Sequence, residues 1–249
     1  MAEPLFDDQA RALRRRRALK RTAAPFLAER IVEDLLDRLQ PIRRRFGRAL
    51  VTGCPPALHE RLAKVAREVR FADSLDALAG EEEGSLDLLM VVGEIDGRDE
   101  LPLLLAIARS RLAPGGLISG AFPGGNSLPA LRSALHAADK AGGAFAARTH
   151  PRIEASAFAG LLSAAGLAEP VVDVDRVRLR YRSLARLIDD IRDHGAANSL
   201  RARPRTGLPR LAVKAARAAF AELAENGATE ERVELLHFAG WAPSAANQA

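Results

Sequence analysis

The chain has 249 residues, of which 48% are hydrophobic, 28% are charged and only 4% are aromatic. That hydrophobic content suffices for a packed core and excludes a globally disordered chain. The formal net charge of +5 favours a nucleic-acid partner only weakly, because aromatic residues for base stacking are scarce. A single cysteine, Cys54, excludes an internal disulfide framework and a cysteine-rich zinc site.

The sequence pattern of the N-terminal region predicts helices. No apolar run in the chain reaches the ~18 residues of a membrane span, and three acidic residues precede the first arginine, which argues against a targeting peptide. The basic run 14–17 is either a solvated helix or a nucleic-acid signal. Residues 26–39 have a helical apolar period that Pro41 ends. We expect a cytoplasmic, bacterial protein with a helical cap at 1–45 and an α/β domain at 46–249.

The stretch 48–57 predicts the first strand and turn of an α/β domain. A short apolar strand, 49–51, ends at Gly53, two prolines follow, and the apolar spacing predicts a helix from Leu58 to about residue 67. Strand, tight turn and helix are typical of a nucleotide-binding site, in which backbone N–H groups face the ligand. Pro55 and Pro56 have no N–H to offer. The arrangement of a cofactor site is therefore present without much of its chemistry.

A second short strand, 68–73, ends in Asp73, which lies 20 residues beyond Gly53. An acid at about this spacing accepts hydrogen bonds from ribose hydroxyls in dinucleotide and related sites. Aspartate is also a favoured helix N-cap, and Asp73 could serve the turn that follows. The sequence leaves both interpretations open.

The remaining pattern alternates helices with apolar strands, which predicts an α/β fold with a mostly parallel sheet. Ser127 is the predicted N-cap of its helix, 113–116 is a Pro-Gly-Gly turn, and the tail 242–249 is expected to fray. The predicted strands are 86–92, 117–122, 171–177 and 233–241; the predicted helices are 101–112, 127–140, 154–165, 183–193 and 211–225.

Several isolated residues allow a chemical and a structural interpretation. Glu94 and Asp96 follow a strand tip, where catalytic groups gather in open α/β sheets, but they could be solvated loop acids. His150 could be a base at a loop rim or a surface or capping residue. Cys54 could be a nucleophile at a helix start or a small packing residue. The sequence names no catalytic residue.

Two further groups carry no predicted ligand. No two histidines have the spacing of a metal site, so no metal is predicted. Tyr181 and its arginine neighbours 178, 180 and 182 form a basic strip that we interpret as solvated rather than phosphate-binding.

The order of elements and several stretches resemble the class I S-adenosylmethionine-dependent methyltransferases. The branch it resembles holds the malonyl-acyl-carrier methyltransferase of biotin synthesis and the complex I assembly factor that hydroxylates an arginine, and the second group fits better. The stretches are Phe6-Asp-Asp8, Leu86-Asp-Leu-Leu89, Leu112-Ala-Pro-Gly-Gly116, Gly124-Gly-Asn-Ser-Leu-Pro-Ala-Leu-Arg132, Ala164-Ala-Gly-Leu167 and Ala239-Gly-Trp241.

The resemblance implies a Rossmann-like, mostly parallel sheet with an antiparallel strand at its C-terminal edge. It also implies S-adenosylmethionine at the strand tips, over the first turn. The cofactor-binding positions that it implies are Gly53, Cys54, Asp73 and Gly93.

Three departures from the family pattern weaken that site. The family turn Asp-Leu-Gly-Cys-Gly-x-Gly is here 51–57, Val-Thr-Gly-Cys-Pro-Pro-Ala. Between residues 74 and 86 the family's further helix and edge strand, with its adenine contact, do not fit. Gly93 starts a stretch that replaces the family's His-Trp. We predict that S-adenosylmethionine binds weakly or not at all.

Three functions follow. The first is a degenerate methyltransferase-like protein that acts through a protein partner, for example in respiratory complex assembly. The second is a functioning S-adenosylmethionine-dependent methyltransferase or arginine hydroxylase. The third, a nucleic-acid-binding module, rests on charge alone. The 124–132 stretch keeps the family pattern best, and we expect that replacing Arg132 with alanine would weaken partner capture with little effect on stability.

Overall fold

The computed structural model describes residues 3–21 and 26–244. Residues 1–2, 22–25 and 245–249, which include part of the predicted cap and most of the predicted tail, lie outside the described residues. The helices are α1 Asp8–Ala18, α2 Phe26–Leu39, α3 His59–Leu62, α4 Leu101–Arg111, α5 Pro129–Gly142, α6 Ala155–Ala164, α7 Leu184–Asp193 and α8 Arg210–Glu222. The strands are β1 Phe46–Thr52, β2 Ala66–Ala72, β3 Leu86–Val92, β4 Leu112–Gly124, β5 Ala168–Tyr181, β6 Ala224–Glu225 and β7 Ala228–Trp241.

The strands form one sheet in the order β2-β1-β3-β4-β7-β5, with β6 paired to β7. The pairs β1–β2, β1–β3 and β3–β4 are parallel, whereas β6 and β7 are antiparallel. The predicted α/β fold, with a mostly parallel sheet and an antiparallel C-terminal edge, is confirmed. Strand β3 is almost wholly buried, as expected for the centre of a parallel sheet covered on both faces.

The predicted loss of an edge element is also confirmed. Between Ala72 and Leu86 the chain forms only a short 3-10 helix, Leu75–Gly80, and no strand. Strand β2 consequently ends the sheet on that side. Thirteen residues cannot hold a helix, a further strand and both connecting loops.

The first compact unit contains residues 26–125, 153–175 and 235–244. Its core is aliphatic along β1, β3 and β4 and aromatic where α6 packs on the sheet. The ring of Phe158 lies 4.8 Å from that of Phe122 and 5.0 Å from that of Phe238, both edge to face. Such pairs stabilise a core beyond the area they bury.

The second unit contains residues 3–21, 126–152 and 176–234. Its core joins α5, α7 and α8, with Leu131, Leu187 and Phe220 buried together. Tyr181 is also buried in this core, so it does not belong to the predicted basic strip. The domain division predicted from the sequence, 1–45 and 46–249, stays a prediction. The two compact units have other boundaries.

Helix boundaries agree with the sequence pattern to within three residues except after β1. The predicted turn at 113–116 lies inside β4 as an irregularity, since Leu86 pairs with Leu112 but Leu88 pairs with Leu117. The two-residue strand β6 was not predicted. None of the helices in the described ranges is long and apolar enough to cross a membrane.

Candidate functional site

The turn after β1 is the first part of the predicted cofactor site. Gly53 has φ 75°, a conformation that glycine adopts without strain. Its N–H donates to the carbonyl of Ala72 at 3.1 Å, which ties the turn to the end of β2. A fold requirement therefore explains this glycine with or without a ligand.

The helix predicted after the turn is wrong in length. Pro56–Leu58 is a 3-10 turn, and α3 that follows has only 4 residues. The prolines fix the backbone and remove N–H donors at its start. Strand β2 then begins at Ala66, two residues earlier than predicted, and takes the residues that would have completed the helix.

The side chains of the turn contact other groups of the protein. Cys54 is buried, and burial raises the pKa of its thiol to about 11. His59 places Nε2 3.2 Å from the carbonyl of Cys54 and stacks on Phe71 with ring centroids 3.8 Å apart. The packing interpretation of Cys54 agrees with these contacts, and a nucleophile with so raised a pKa is disfavoured.

Asp73 lies exposed directly after β2. The N-cap of the 3-10 helix that follows is Ser74, whose hydroxyl accepts the N–H of Asp76 at 3.2 Å. The capping interpretation of Asp73 is therefore wrong. Asp73 directly follows Ala72, the residue to which the Gly53 N–H is hydrogen-bonded, and its ribose interpretation stays a prediction.

Gly93 and Glu94 follow the tip of β3 and differ in their exposure to solvent. Gly93 is exposed with φ 68°, and no atom lies within 4 Å of the place where a Cβ would stand. Glu94 is only 4% exposed. Both of its oxygens accept the N–H of Leu75 at 3.0 Å, and it forms an ion pair with Arg98. The interpretation of Glu94 as a solvated loop acid is wrong, whereas Asp96 is half-buried.

The stretch 126–132 in the second unit is fastened by two acids of β7. Glu231, 1% exposed, accepts the N–H groups of Ala130 and Leu131 at 3.3 and 2.8 Å. These bonds occupy orphan donors of the first turn of α5. Glu234 accepts the N–H of Asn126 at 2.9 Å, and this bond first, then Arg176, lowers its pKa.

One prediction about this stretch is wrong, and another stays a prediction. Ser127 does not cap α5, because its hydroxyl accepts the N–H of Glu234 at 2.9 Å instead. Arg132 donates to the carbonyl of Ser127 and to Oδ1 of Asn126. These contacts fasten the loop, so we expect removal of the guanidinium to loosen it; the predicted effects of Arg132→Ala on partner capture and on stability stay predictions.

His150 is half-buried and acts as an acceptor. Its Nε2 accepts the N–H of Ser199 at 2.8 Å, and its ring meets Phe6 edge to face at 5.4 Å. Burial, with Arg152 next, lowers its pKa to about 4. The capping interpretation agrees with this geometry better than the interpretation as a base. Arg178 and Arg180 are exposed, as predicted for a solvated strip.

One group was not found from the sequence. Asp34, Asp175 and His237 bring three potential ligand atoms within 4.8 Å of one another. They come from α2, β5 and β7, so sequence spacing gave no signal. Alternating apolar and acidic residues along 171–177 were visible, but not the partner of those acids.

The relatives of the chain are arginine hydroxylases and a methyltransferase. The arginine-hydroxylase NDUFAF5 of Danio rerio is 27% identical over 243 residues, covering 88% of this chain and 75% of the relative. The Homo sapiens protein is 26% identical, covering 88% and 71%. The malonyl-[acyl-carrier protein] O-methyltransferase of Laribacter hongkongensis is 29% identical over 164 residues, covering 65% and 53%. No family model matches the chain.

Solved structures share the fold. A protein of Bacillus halodurans C-125 assigned as a methyltransferase superposes with TM-score 0.53 at 11% identity, covering 86% of this chain and 99% of that one. The YcgJ protein of Bacillus subtilis gives 0.52 at 12% identity, with the same coverage. The sheet order and these matches show that the chain has the fold of the class I S-adenosylmethionine-dependent methyltransferases, and its similarity in sequence is to the arginine hydroxylases and the malonyl-acyl-carrier methyltransferase.

Proposed function

We propose that this chain is a methyltransferase-like protein with a degraded cofactor site, which binds S-adenosylmethionine weakly or not at all and acts through a protein partner. The turn after β1 is the observation that carries the proposal. In this family fold the cofactor lies over that turn, and backbone N–H groups supply much of the binding.

Few donors remain in the turn. Among residues 53–58, Pro55 and Pro56 have no N–H, Gly53 donates to Ala72, and the N–H of Leu58 donates to the carbonyl of Pro55 at 2.9 Å. At most the amides at 54 and 57 are left for a ligand. With four residues, α3 is also too short to contribute an appreciable helix dipole.

The shortened connection between β2 and β3 supports the same proposal. The resemblance places an adenine contact on the element that is missing here. Each unmade hydrogen bond to a buried ligand group costs about 1–3 kcal/mol. The turn and the missing element together could therefore exceed ~4 kcal/mol, roughly a thousandfold in affinity.

What remains of the site defines where residual binding would occur. Gly53 has the left-handed backbone of a tight turn, Gly93 leaves space beside the tip of β3, Asp73 is exposed, and Cys54 could contribute only its backbone because its side chain is buried. We retain these four positions as the cofactor-binding residues of the proposal.

Isothermal titration of the full chain with S-adenosylmethionine and S-adenosylhomocysteine tests the proposal. We expect no saturable heat at micromolar concentrations from protein that melts cooperatively. Micromolar affinity would refute the degraded site. In that case Asp73→Asn should abolish binding if the ribose is held there, with Asp173→Asn, an exposed acid on β5, as the matched control. A nucleoside copurifying with the chain would count against the proposal in the same way.

The partner is proposed to be a protein, in line with the resemblance to a complex I assembly factor. A cytoplasmic location in a bacterial cell is part of the same proposal. Arg132 and its loop, 126–132, are the surface we propose for partner contact, since this stretch keeps the family pattern best.

A second function is favoured by the relatives' names. Proteins called arginine hydroxylases align with 88% of this chain. The alternative is therefore a working enzyme that modifies a protein arginine. Mass spectrometry of an arginine-containing protein substrate distinguishes the outcomes. One added oxygen atom indicates hydroxylation, one added methylene indicates methylation, and an unchanged mass with stable association supports the non-catalytic proposal.

A further inference from the structure

Asp34, Asp175 and His237 meet in the first unit, from three elements that are far apart in sequence. Their ligand atoms lie within 4.8 Å of one another. The side chains of Asp34 and Asp175 are 32% and 29% exposed, whereas that of His237 is 1% exposed. The cluster therefore has a buried imidazole at its base and a mouth that solvent reaches.

The imidazole is the unusual member of the cluster. Neither ring nitrogen of His237 has a hydrogen-bond partner among the described residues. Buried polar atoms are normally paired, so an unpaired one calls for an explanation such as an ion or a water. Its Nε2 points into the cluster, 3.4 Å from Oδ2 of Asp34.

We propose that Asp34, Asp175 and His237 bind one divalent transition-metal ion. Two ligands of a tetrahedral ion, each about 2.1 Å from it, are about 3.4 Å apart, which matches the separation of Nε2 and Oδ2. One imidazole nitrogen and two carboxylate oxygens suit Zn²⁺ and its first-row neighbours better than Mg²⁺ or Ca²⁺. The exposed mouth leaves a coordination position for water or another ligand.

Arg30 competes with the metal for the same carboxylates. Its Nε lies 2.7 Å from Oδ2 of Asp175 and 4.0 Å from Oδ2 of Asp34. The Arg30 side chain is 48% exposed, and ion pairs of such exposure contribute little. A metal can therefore displace the guanidinium from Asp175, and removing the guanidinium should tighten metal binding.

Metal titration of the full chain, after chelator treatment and dialysis, tests the proposal. We expect Zn²⁺ to bind at one site by calorimetry, Co²⁺ to give visible absorption bands, and Zn²⁺ to raise the melting temperature. His237→Gln and Asp175→Asn should each weaken binding at least roughly a hundredfold. Arg30→Gln should strengthen it by up to about fivefold.

Asp173→Asn is the matched control. Asp173 lies on the same strand, two residues from Asp175, and pairs with Arg38 at 2.6 Å without belonging to the cluster. It removes a nearby charge but no ligand, so it should weaken metal binding far less than Asp175→Asn does. Absence of Zn²⁺ and Co²⁺ binding by the wild-type chain would overturn the proposal, as would binding that survives Asp175→Asn. Because Asp175 and Arg30 are at the surface, their variants decide the matter even if His237→Gln does not fold.

Discussion

Replacing Glu94 with alanine should destabilise the protein strongly. The Glu94 carboxylate is 4% exposed and pairs with Arg98, whose side chain is 8% exposed. Its removal leaves a buried guanidinium that pairs with the exposed Asp76 at 2.5 Å. It also leaves the N–H of Leu75 without this acceptor.

The expected loss follows from these contacts. Breaking one side of a buried ion pair costs about 3–5 kcal/mol, because the other charge stays buried. For a chain of this size that corresponds to a melting temperature lower by roughly 10 °C. Chemical denaturation of the wild type and Glu94→Ala, followed by circular dichroism, measures the difference in free energy of unfolding.

Two further variants separate the causes. Glu94→Met combined with Arg98→Met removes both charges and should recover part of the stability, since no uncompensated charge remains. Asp76→Ala removes a partner that is 70% exposed and should cost at most about 1 kcal/mol. A Glu94→Ala variant that loses less than about 1 kcal/mol of stability would refute the buried-pair reasoning and support the interpretation of Glu94 as a solvated loop acid.

Two titratable groups give simpler predictions. Because burial raises the pKa of Cys54 to about 11, its thiolate fraction at pH 8 is on the order of one in a thousand, and iodoacetamide should label it far more slowly than the denatured chain; equal rates would contradict this. The pKa of His150, lowered to about 4, predicts a ring-proton NMR signal that stays unshifted from pH 8 to 5. Since the unfolded histidine binds its proton near pH 6.5, His150 should contribute full stability above that pH and lose it as the pH falls toward 4. A titration midpoint near 6.5 in the folded protein would contradict the burial.

The central sheet could be predicted because its sequence pattern has a single solution. The run Leu86–Val92 is almost wholly buried in the structure, and a short, continuous apolar run bounded by turns is typical of an interior parallel strand. The missing edge strand was equally predictable, since thirteen residues limit what can be built. The first prediction rests on the hydrophobic pattern, and the second rests on chain length together with the resemblance to a family that places a further helix and strand there.

The length of the helix after the turn was predicted wrongly, because it depends on sheet pairing rather than on the local sequence. Apolar residues at 58, 62 and 65 satisfy a helical period, but β2 pairs with β1 from Phe46↔Ala66 onward. Sheet pairing therefore takes the residues that local propensity would give to the helix. The burial of Glu94 was not predicted either, although Arg98, four residues later, was a usable signal for an ion pair. The metal cluster had no such signal, because its members are separated by more than 60 residues.

The turn and the 126–132 stretch differ in how their backbone is supported. At the turn, a glycine with positive φ is followed by prolines that bring their own fixed φ. At the start of α5, Leu128 has φ 59°, a left-handed conformation that costs an ordinary residue about 1–2 kcal/mol. Its N–H donates to the carbonyl of Arg232 at 2.7 Å, and Glu231 serves the next N–H groups.

Buried, hydrogen-bonded carboxylates can hold a strained loop in one conformation. A rigid loop binds a partner with a smaller loss of entropy than a flexible one. The support of 126–132 therefore favours recognition there, while the prolines of the 53–57 turn disfavour the contacts a nucleotide needs. Because the 126–132 stretch is supported for recognition and the 53–57 turn is poor in donors, we propose partner binding rather than cofactor chemistry for this chain.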